Sequence, residues 1–159
     1  MNRAGFTIIE LIVVLAIISV LLSIGSFQFA QYSKKSETES QTRRLYGDLL
    51  EIRSRALFEK QNKTLKLSAS SYAIYASTDT TVAPIDTVTL KRPITWNNSA
   101  DIVFDSRGML PYAATTNKTI CVAEENDASV DSIVIFATRV QLGKRYEGTV
   151  CTNGNIVFK

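Results

Sequence analysis

The feature that most constrains this chain is a predominantly apolar run of 21 residues near its N-terminus, from Thr7 to Phe27. About 20 such residues in a helix suffice to span the hydrocarbon core of a bilayer. Glu10 is the only charged residue in the run. An acid inside a membrane helix costs free energy and usually marks a functional position. The sequence therefore predicts a membrane-spanning helix whose single acid needs a partner; the alternative is an ordinary membrane anchor with a stray acid.

The residues ahead of this run differ from those of an ordinary secretory signal. Such a signal places its small-residue cleavage site after the apolar core, whereas here Arg3 and the small pair Ala4 and Gly5 come before it. Cleavage after Gly5 would remove a leader of five residues and leave the hydrophobic helix attached. It would also free the amine of Phe6, which on a neighbouring copy could pair with Glu10.

Composition narrows the chemistry of the rest of the chain. The chain has no histidine, so the commonest general base and metal ligand is missing, and its net charge of +3 does not by itself indicate a nucleic-acid partner. The two cysteines, Cys121 and Cys151, are too few for a four-ligand zinc site. If the apolar segment exports the following domain, disulfides persist there, and we predict a Cys121–Cys151 bond rather than two unrelated buried thiols. We predict no metal, no cofactor and no catalytic residue.

Helical periodicity continues beyond the apolar run. Four apolar residues are spaced by four, three and four positions and form one stripe on a helix, namely Leu45, Leu49, Ile52 and Ala56. No proline occurs between Met1 and Thr81. The sequence therefore predicts one continuous helix from about Phe6 to Lys60, with its second half laid along a sheet.

After Lys63 the pattern changes to short strand-like segments separated by turn residues. The predicted strands are 64–68, 72–77, 87–91, 102–105, 119–123, 132–142, 148–151 and 155–158. Turns are predicted at 105–108, at 144–147 and, as a tight hairpin, at 152–154. The turn at 144–147 would place Cys151 on a late strand. The predicted fold class is α+β: a long N-terminal helix, transmembrane in its first half, packed on an antiparallel β-sheet domain.

The segment Gly5-Phe6-Thr7-Ile8-Ile9-Glu10-Leu11 and the apolar residues after it resemble the leader junction of type IV pilins and type II secretion pseudopilins. This resemblance implies cleavage between Gly5 and Phe6 by a prepilin peptidase, N-methylation of Phe6, and a role for Glu10 in subunit incorporation. It also implies a single-pass protein of the bacterial inner membrane with a periplasmic C-terminal domain, incorporated into a pilus or pseudopilus. The implied partners are other pilin or pseudopilin subunits, through the N-terminal helix, and a cytoplasmic assembly ATPase that acts indirectly.

These expectations divide the chain into four segments. Residues 1–5 are the prepilin leader, and residues 6–28 are the transmembrane and assembly half of the helix. Residues 29–62 are its amphipathic soluble half, and residues 63–159 are a β-rich globular domain.

The segment Ile102–Leu110, with the sequence IVFDSRGML, is similar to the Phe-Asp-x-x-Gly segment of GspH/FimT-type minor pseudopilins. This second resemblance implies a minor subunit that caps or initiates a short filament. The leading functional hypothesis is a minor pseudopilin of a type II secretion system, part of a short pseudopilus that drives protein secretion. The alternative is a minor pilin of a type IV pilus, contributing to DNA binding and uptake.

The DNA alternative depends on the string Gly143-Lys144-Arg145-Tyr146, a partial match to the Gly-Arg-x-Arg string of some FimT-type pilins. Arg139, Lys144 and Arg145 could neutralise phosphates, and Tyr146 could stack on a base. Tyr146, however, stands where the second arginine would be, and a solvated hairpin turn also explains the string.

An enzyme is the third hypothesis. Carboxylates occur at Asp101 and Asp105 and again within residues 124–127. The sequence has no glycine-rich phosphate loop and no nucleophile motif to go with them. We therefore predict that the protein is not an enzyme.

Overall fold

The computed structural model of the protein describes residues 7–111, 117–124 and 126–159, without the side chains of residues 24–27. The structure divides into two compact units, one that ends at Lys34 and one from Lys35 to Lys159. Helix α1, Ile8–Glu59, contributes residues to both. The units are described separately below.

The first unit consists of the N-terminal part of α1. Every side chain from Thr7 to Ser23 is exposed, and the helix is long and apolar enough to cross a membrane. The hydroxyls of Ser19 and Ser23 donate to the carbonyl oxygens of Leu15 and Ser19, each at 2.8 Å. Polar groups in lipid must be satisfied within the segment. These two serines are therefore compatible with a lipid environment.

The second unit is organised by residues 35–59 of α1. The predicted stripe is confirmed, because each of its members is at most 3% exposed, namely Leu45, Leu49, Ile52 and Ala56. They form one core cluster with strand residues such as Leu65, Phe104 and Ile133. Lys60 adopts a left-handed φ of +55°, the conformation that commonly ends a helix. The chain then turns into the first strand.

Within the described ranges, nine strands form two sheets with antiparallel pairing throughout. Their bounds are β1 Lys63–Ser68, β2 Ser71–Tyr75, β3 Asp86–Thr89, β4 Ile94–Trp96, β5 Asp101–Phe104, β6 Lys118–Val122, β7 Ser132–Ile135, β8 Val140–Arg145 and β9 Ile156–Phe158. The first sheet has the order β3-β2-β1-β5 and the second β4-β6-β7-β8-β9. The predicted fold, a long N-terminal helix packed on antiparallel β-structure, is confirmed.

The prediction of one strand over residues 132–142 was wrong. The structure has two strands there, β7 and β8, joined by a tight turn in which the Phe136 amide donates to the Arg139 carbonyl at 2.8 Å. The turn contains no glycine, proline or asparagine, so its sequence lacks the usual turn signals. It forms because pairing Ile135 with Val140 buries both side chains.

The C-terminal hairpin predictions were also wrong. Lys144 lies within β8 and not in a turn, and residues 148–151 form no strand. Cys151 therefore lies in the connection from β8 to β9. The predicted tight turn at 152–154 is replaced by a short 3₁₀ helix, Asn153–Asn155. Strand β4 was not predicted, because it is only three residues long and directly follows Pro93.

A second, smaller core lies on the face of the second sheet that is turned away from α1. Ile133 and Ile135 belong to the cluster that contains α1, so strand alternation directs Val134 to the opposite face. Val134 is buried there with Cys121 and Ile156. The disulfide Cys121–Cys151, with a Cα–Cα distance of 5.9 Å, fastens the connection between β8 and β9 to this face.

Gly143 offers a test of this packing. A Cβ atom at Gly143 would lie 2.2 Å from Cγ2 of Ile156 and 2.9 Å from the carbonyl oxygen of Val157. We expect Gly143→Ala to lower the free energy of unfolding by about 1–3 kcal/mol, since overpacking forces neighbouring atoms apart. The measurement is denaturant unfolding of the detergent-solubilised chain, followed by circular dichroism.

The matched control for this substitution is Gly47→Ala in α1, where a Cβ meets no atom within 4 Å. This change should raise the free energy of unfolding by about 0.5–1 kcal/mol, because glycine is a poor residue for a helix interior. Equal unfolding midpoints for Gly143→Ala and the parent would contradict the proposed packing of β9 on β8.

Candidate functional site

Glu10 lies at the N-terminus of α1, where it forms a capping box with Thr7. The Thr7 amide and hydroxyl donate to Oε2 of Glu10 at 2.9 and 3.0 Å, and the Glu10 amide donates to the Thr7 hydroxyl at 3.3 Å. In a capping box the two side chains satisfy amide groups that the first turn of a helix leaves without partners. The acid therefore has a local structural partner before any other subunit is present.

The sequence contained the signal for this arrangement. Thr7 and Glu10 fit the pattern of a threonine followed three residues later by a glutamate, directly before an apolar run. The sequence-based prediction was only that the charge of Glu10 needs a cation, and it did not include the capping role. The predicted cleavage and methylation residues, Gly5 and Phe6, lie outside the described residues.

The Phe-Asp-x-x-Gly segment forms a structured turn on α1. Asp105 accepts hydrogen bonds from the amides of Arg107 and Met109 at 2.9 and 3.0 Å, and Gly108 has a φ of +67°, so the predicted turn is confirmed. Burial opposes ionisation of the Asp105 carboxyl, but the bonds from Met109 and Arg107 outweigh burial and lower its pKa. The Gly108 carbonyl accepts a bond from Nε of Arg53 on α1 at 2.8 Å. This motif thus connects β5 to the helix.

The predicted nucleic-acid residues Lys144 and Arg145 contact a buried acid. Asp131 is only 2% exposed, and its carboxylate lies 3.0 Å from the amine of Lys144. The same carboxylate accepts the Arg145 amide at 2.8 Å and the Ser132 hydroxyl at 2.7 Å. A buried carboxylate needs such compensation. Lys144 therefore has a structural role that the sequence did not reveal.

The other two predicted nucleic-acid residues lie at the surface. The guanidinium carbon of Arg139 lies 4.7 Å from the ring centroid of Phe136, a cation–π contact. The Phe136 ring in turn packs against Phe158, with 5.9 Å between ring centroids. Tyr146 is 56% exposed at the end of β8. The structure thus ties Lys144 to an internal acid and leaves Arg139 and Tyr146 accessible.

Two of the carboxylates considered for catalysis are engaged in structural contacts. Asp105 shapes its turn, and Glu124 forms an ion pair with Arg92 at 3.1 Å. Among the residues that the structure describes, no group of three or more histidine, cysteine, aspartate or glutamate side chains is placed to hold a metal ion. A groove of about 270 Å³ lies between α1 and the edge strand β3, with Glu37, Arg44 and Lys91 among its polar lining residues.

Comparison with known proteins finds a motif in the N-terminal segment and a similar fold. Residues 1–26 match the prokaryotic N-terminal methylation motif. The fold is similar to that of the type IV minor pilin FimU from Pseudomonas aeruginosa PAO1 in two crystal forms, with TM-scores of 0.57 and 0.54 and 19% sequence identity in each case. The alignments cover 71% and 67% of this chain and 92% of FimU. Comparison with curated proteins finds no similar sequence.

The likeness to FimU, at this identity, concerns the fold, and the methylation motif concerns the N-terminal segment. Each agrees with the geometry described above, a long apolar helix that begins at a capping box and continues into a helix packed on antiparallel sheets. The chain therefore carries a prepilin-type N-terminal methylation motif and has a pilin-like fold similar to that of the type IV minor pilin FimU.

Proposed function

We propose that this chain is a minor structural subunit of a filament built from pilin-like proteins. The observation that carries the proposal is the combination, in one helix, of the methylation motif at residues 1–26 and an apolar surface that is exposed from Thr7 to Ser23. Such a surface is stable in lipid or against other apolar helices. Burial contributes roughly 25 cal/mol per Å² of apolar area, so packing against neighbouring helices offsets the loss of lipid contacts.

The proposed mechanism is physical and not catalytic. The subunit waits in the bacterial inner membrane with its C-terminal domain in the periplasm, and a cytoplasmic ATPase acts indirectly to drive its extraction. The disulfide Cys121–Cys151 supports an oxidising location for this domain. The proposed segments are the leader 1–5, the membrane and assembly half of the helix 6–28, its soluble half 29–62 and the globular domain 63–159.

Two assembly machines are candidates. The Phe-Asp-x-x-Gly segment, which forms the turn at Asp105–Gly108, supports a minor pseudopilin of a type II secretion system. The likeness to the minor pilin FimU supports a type IV pilus. DNA binding in a pilus would depend on Arg139, Arg145 and Tyr146, since Lys144 pairs with Asp131.

The first prediction concerns processing. We expect mass spectrometry of the membrane-purified protein to show Phe6 as a methylated N-terminus, because cleavage after Gly5 leaves the apolar helix attached. Replacement of Gly5 by a bulky residue should block maturation, whereas Gly47→Ala, which changes a glycine in open space, should not affect it. An intact Met1, or cleavage beyond Phe27, would contradict the proposed function.

The second prediction concerns Glu10. On moving from lipid into a filament the carboxylate is desolvated, and the amine of Phe6 on an adjacent subunit is the proposed partner. Leaving such a charge buried alone costs about 3–5 kcal/mol, whereas a correctly formed pair adds little net stability. We therefore expect Glu10 to select one register between helices. Glu10→Gln should keep cleavage and membrane insertion but lower incorporation into filaments.

Matched variants separate the charge of Glu10 from its capping role. Glutamine can still form a capping box, so Glu10→Gln removes the charge alone, and Glu10→Leu removes both. Thr7→Ala removes the hydroxyl partner and keeps the acid, and should assemble nearly as well as the parent. Sheared-filament fractions measure incorporation. Parent-like incorporation of Glu10→Leu would refute the register hypothesis.

The third prediction distinguishes the two machines. Deletion of the gene should abolish secretion of exported enzymes and spare surface pili if the subunit belongs to a type II pseudopilus. If it belongs to a type IV pilus, deletion should instead reduce surface pili and pilus-dependent motility while secretion continues. Complementation with the parent and with Glu10→Leu controls for polar effects. Normal secretion together with normal piliation would contradict both assignments.

A further inference from the structure

Two aromatic side chains directly after the apolar run take no part in the core of the protein. Phe29 is 73% exposed and Tyr32 is 70% exposed. They are three residues apart in α1 and so lie on one side of the helix. Thr38 is the first buried side chain along the described part of this helix. The fold therefore gives these two rings no internal packing role.

Their positions along α1 correspond to the headgroup layer of a bilayer. With a rise of about 1.5 Å per residue, Phe29 lies about 3 Å and Tyr32 about 7.5 Å beyond Phe27, the last residue of the apolar run. The headgroup layer extends about 5–7.5 Å beyond the hydrocarbon core on each side. Aromatic rings with a polar tip, such as that of tyrosine, are enriched at this level.

The charges around these aromatics favour an anionic surface. Residues 28–36 contain two cations, Lys34 and Lys35, and no acid. The next two acids along the helix are engaged elsewhere in the second unit. Glu37 pairs with Arg92 at 3.1 Å, and Glu39 accepts the Ser129 amide at 2.7 Å. That amide bond is the main reason why the pKa of Glu39 is lowered. A juxtamembrane segment in which cations outnumber acids is attracted to anionic lipid headgroups.

We propose that Phe29, Tyr32, Lys34 and Lys35 form an interfacial anchor that binds the headgroups of an anionic phospholipid membrane. The two rings lie at headgroup level and the two amines bind lipid phosphates. This inference rests on the proposed function in taking α1 as a membrane helix. It adds the lipid surface as a partner and names the residues that set the depth of the helix.

The anchor also determines where Glu10 lies. Phe29 follows Glu10 by 19 residues, which is about 28 Å along a helix. The hydrocarbon core is about 30 Å thick. An anchor at one interface therefore holds Thr7 and Glu10 within about 5 Å of the other interface, where water and headgroups lower the cost of the carboxylate. Before assembly, the subunit thus keeps Glu10 out of the centre of the bilayer.

Fluorescence quenching in vesicles tests the anchor on the full chain. The protein is reconstituted in phosphatidylethanolamine with phosphatidylglycerol, and Trp96→Phe removes its single tryptophan. Tyr32→Trp then serves as the reporter, with Phe58→Trp, an exposed aromatic position 26 residues further along the same helix, as the matched control. Spin-labelled headgroups should quench Tyr32→Trp by about twofold or more and Phe58→Trp by under about 10%, as expected for an aromatic at the interface.

A second reporter tests whether the anchor aromatics set the depth of the helix in the bilayer. Leu21→Trp, within the apolar run, is quenched by labels on the acyl chains. Replacing the anchor aromatics (Phe29→Ser with Tyr32→Ser) should shift the depth of maximal quenching, whereas Phe58→Ser should not. Replacing phosphatidylglycerol by a neutral lipid should weaken headgroup quenching of Tyr32→Trp, and Lys34→Gln with Lys35→Gln should remove that lipid dependence.

Three results would overturn the anchor. The first is headgroup quenching of Tyr32→Trp no greater than that of Phe58→Trp. The second is emission that depends on the protein-to-lipid ratio and not on the label, which would show that another copy covers the aromatics. The third is an unchanged Leu21→Trp depth after both serine replacements. These readouts involve neither cleavage nor filament entry, so failure of the anchor and failure of the proposed function are distinguishable.

Discussion

The structure depends on unbroken backbone hydrogen bonding along α1, Ile8–Glu59. In the proposed function its first part faces lipid, where an unpaired amide or carbonyl costs several kcal/mol. The capping box of Thr7 and Glu10 supplies partners at the start of the helix, where the first turn has none of its own. The second part offers its apolar stripe to the core of the globular unit. A single helix is thus suited to two environments, and its sequence changes from a continuous apolar run to an apolar stripe.

The sequence predicted the structure correctly wherever the spacing of apolar residues or the composition determines it. The apolar stripe at Leu45–Ala56 and the α+β class followed from spacing, and the disulfide followed from reasoning about the compartment. The hairpin at Phe136–Arg139 did not follow, because long-range pairing and not local turn chemistry creates it. The spacing of Thr7 and Glu10 indicates the capping role of Glu10. The prediction considered only the charge of Glu10, because a single acid in an apolar run suggests an ion pair.

The string Gly143-Lys144-Arg145 at the end of β8 resembles a binding motif, although the fold itself requires some of its residues. Gly143 is required because a Cβ there would meet Ile156, and Lys144 lies beside the buried carboxylate of Asp131. The Arg145 amide donates to the same carboxylate. Gly143 and Lys144 therefore each have a packing or electrostatic reason within the domain, whereas the Arg145 contact with Asp131 involves only its main chain. Sequence alone could not show this, because Asp131 precedes the string by more than ten residues and reaches it only through the pairing of β7 with β8.

The Cys121–Cys151 bond also carries information about export. In the proposed export of the globular domain, Cys121 on β6 reaches the oxidising side before Cys151, which follows it by 30 residues. Edge strand β9 follows Cys151 and completes the second sheet. The bond can therefore close only after Cys151 has been translocated. Under the proposed function, a free thiol at Cys121 would mark a subunit whose export is unfinished, and the oxidised pair would mark one that is ready to join a filament.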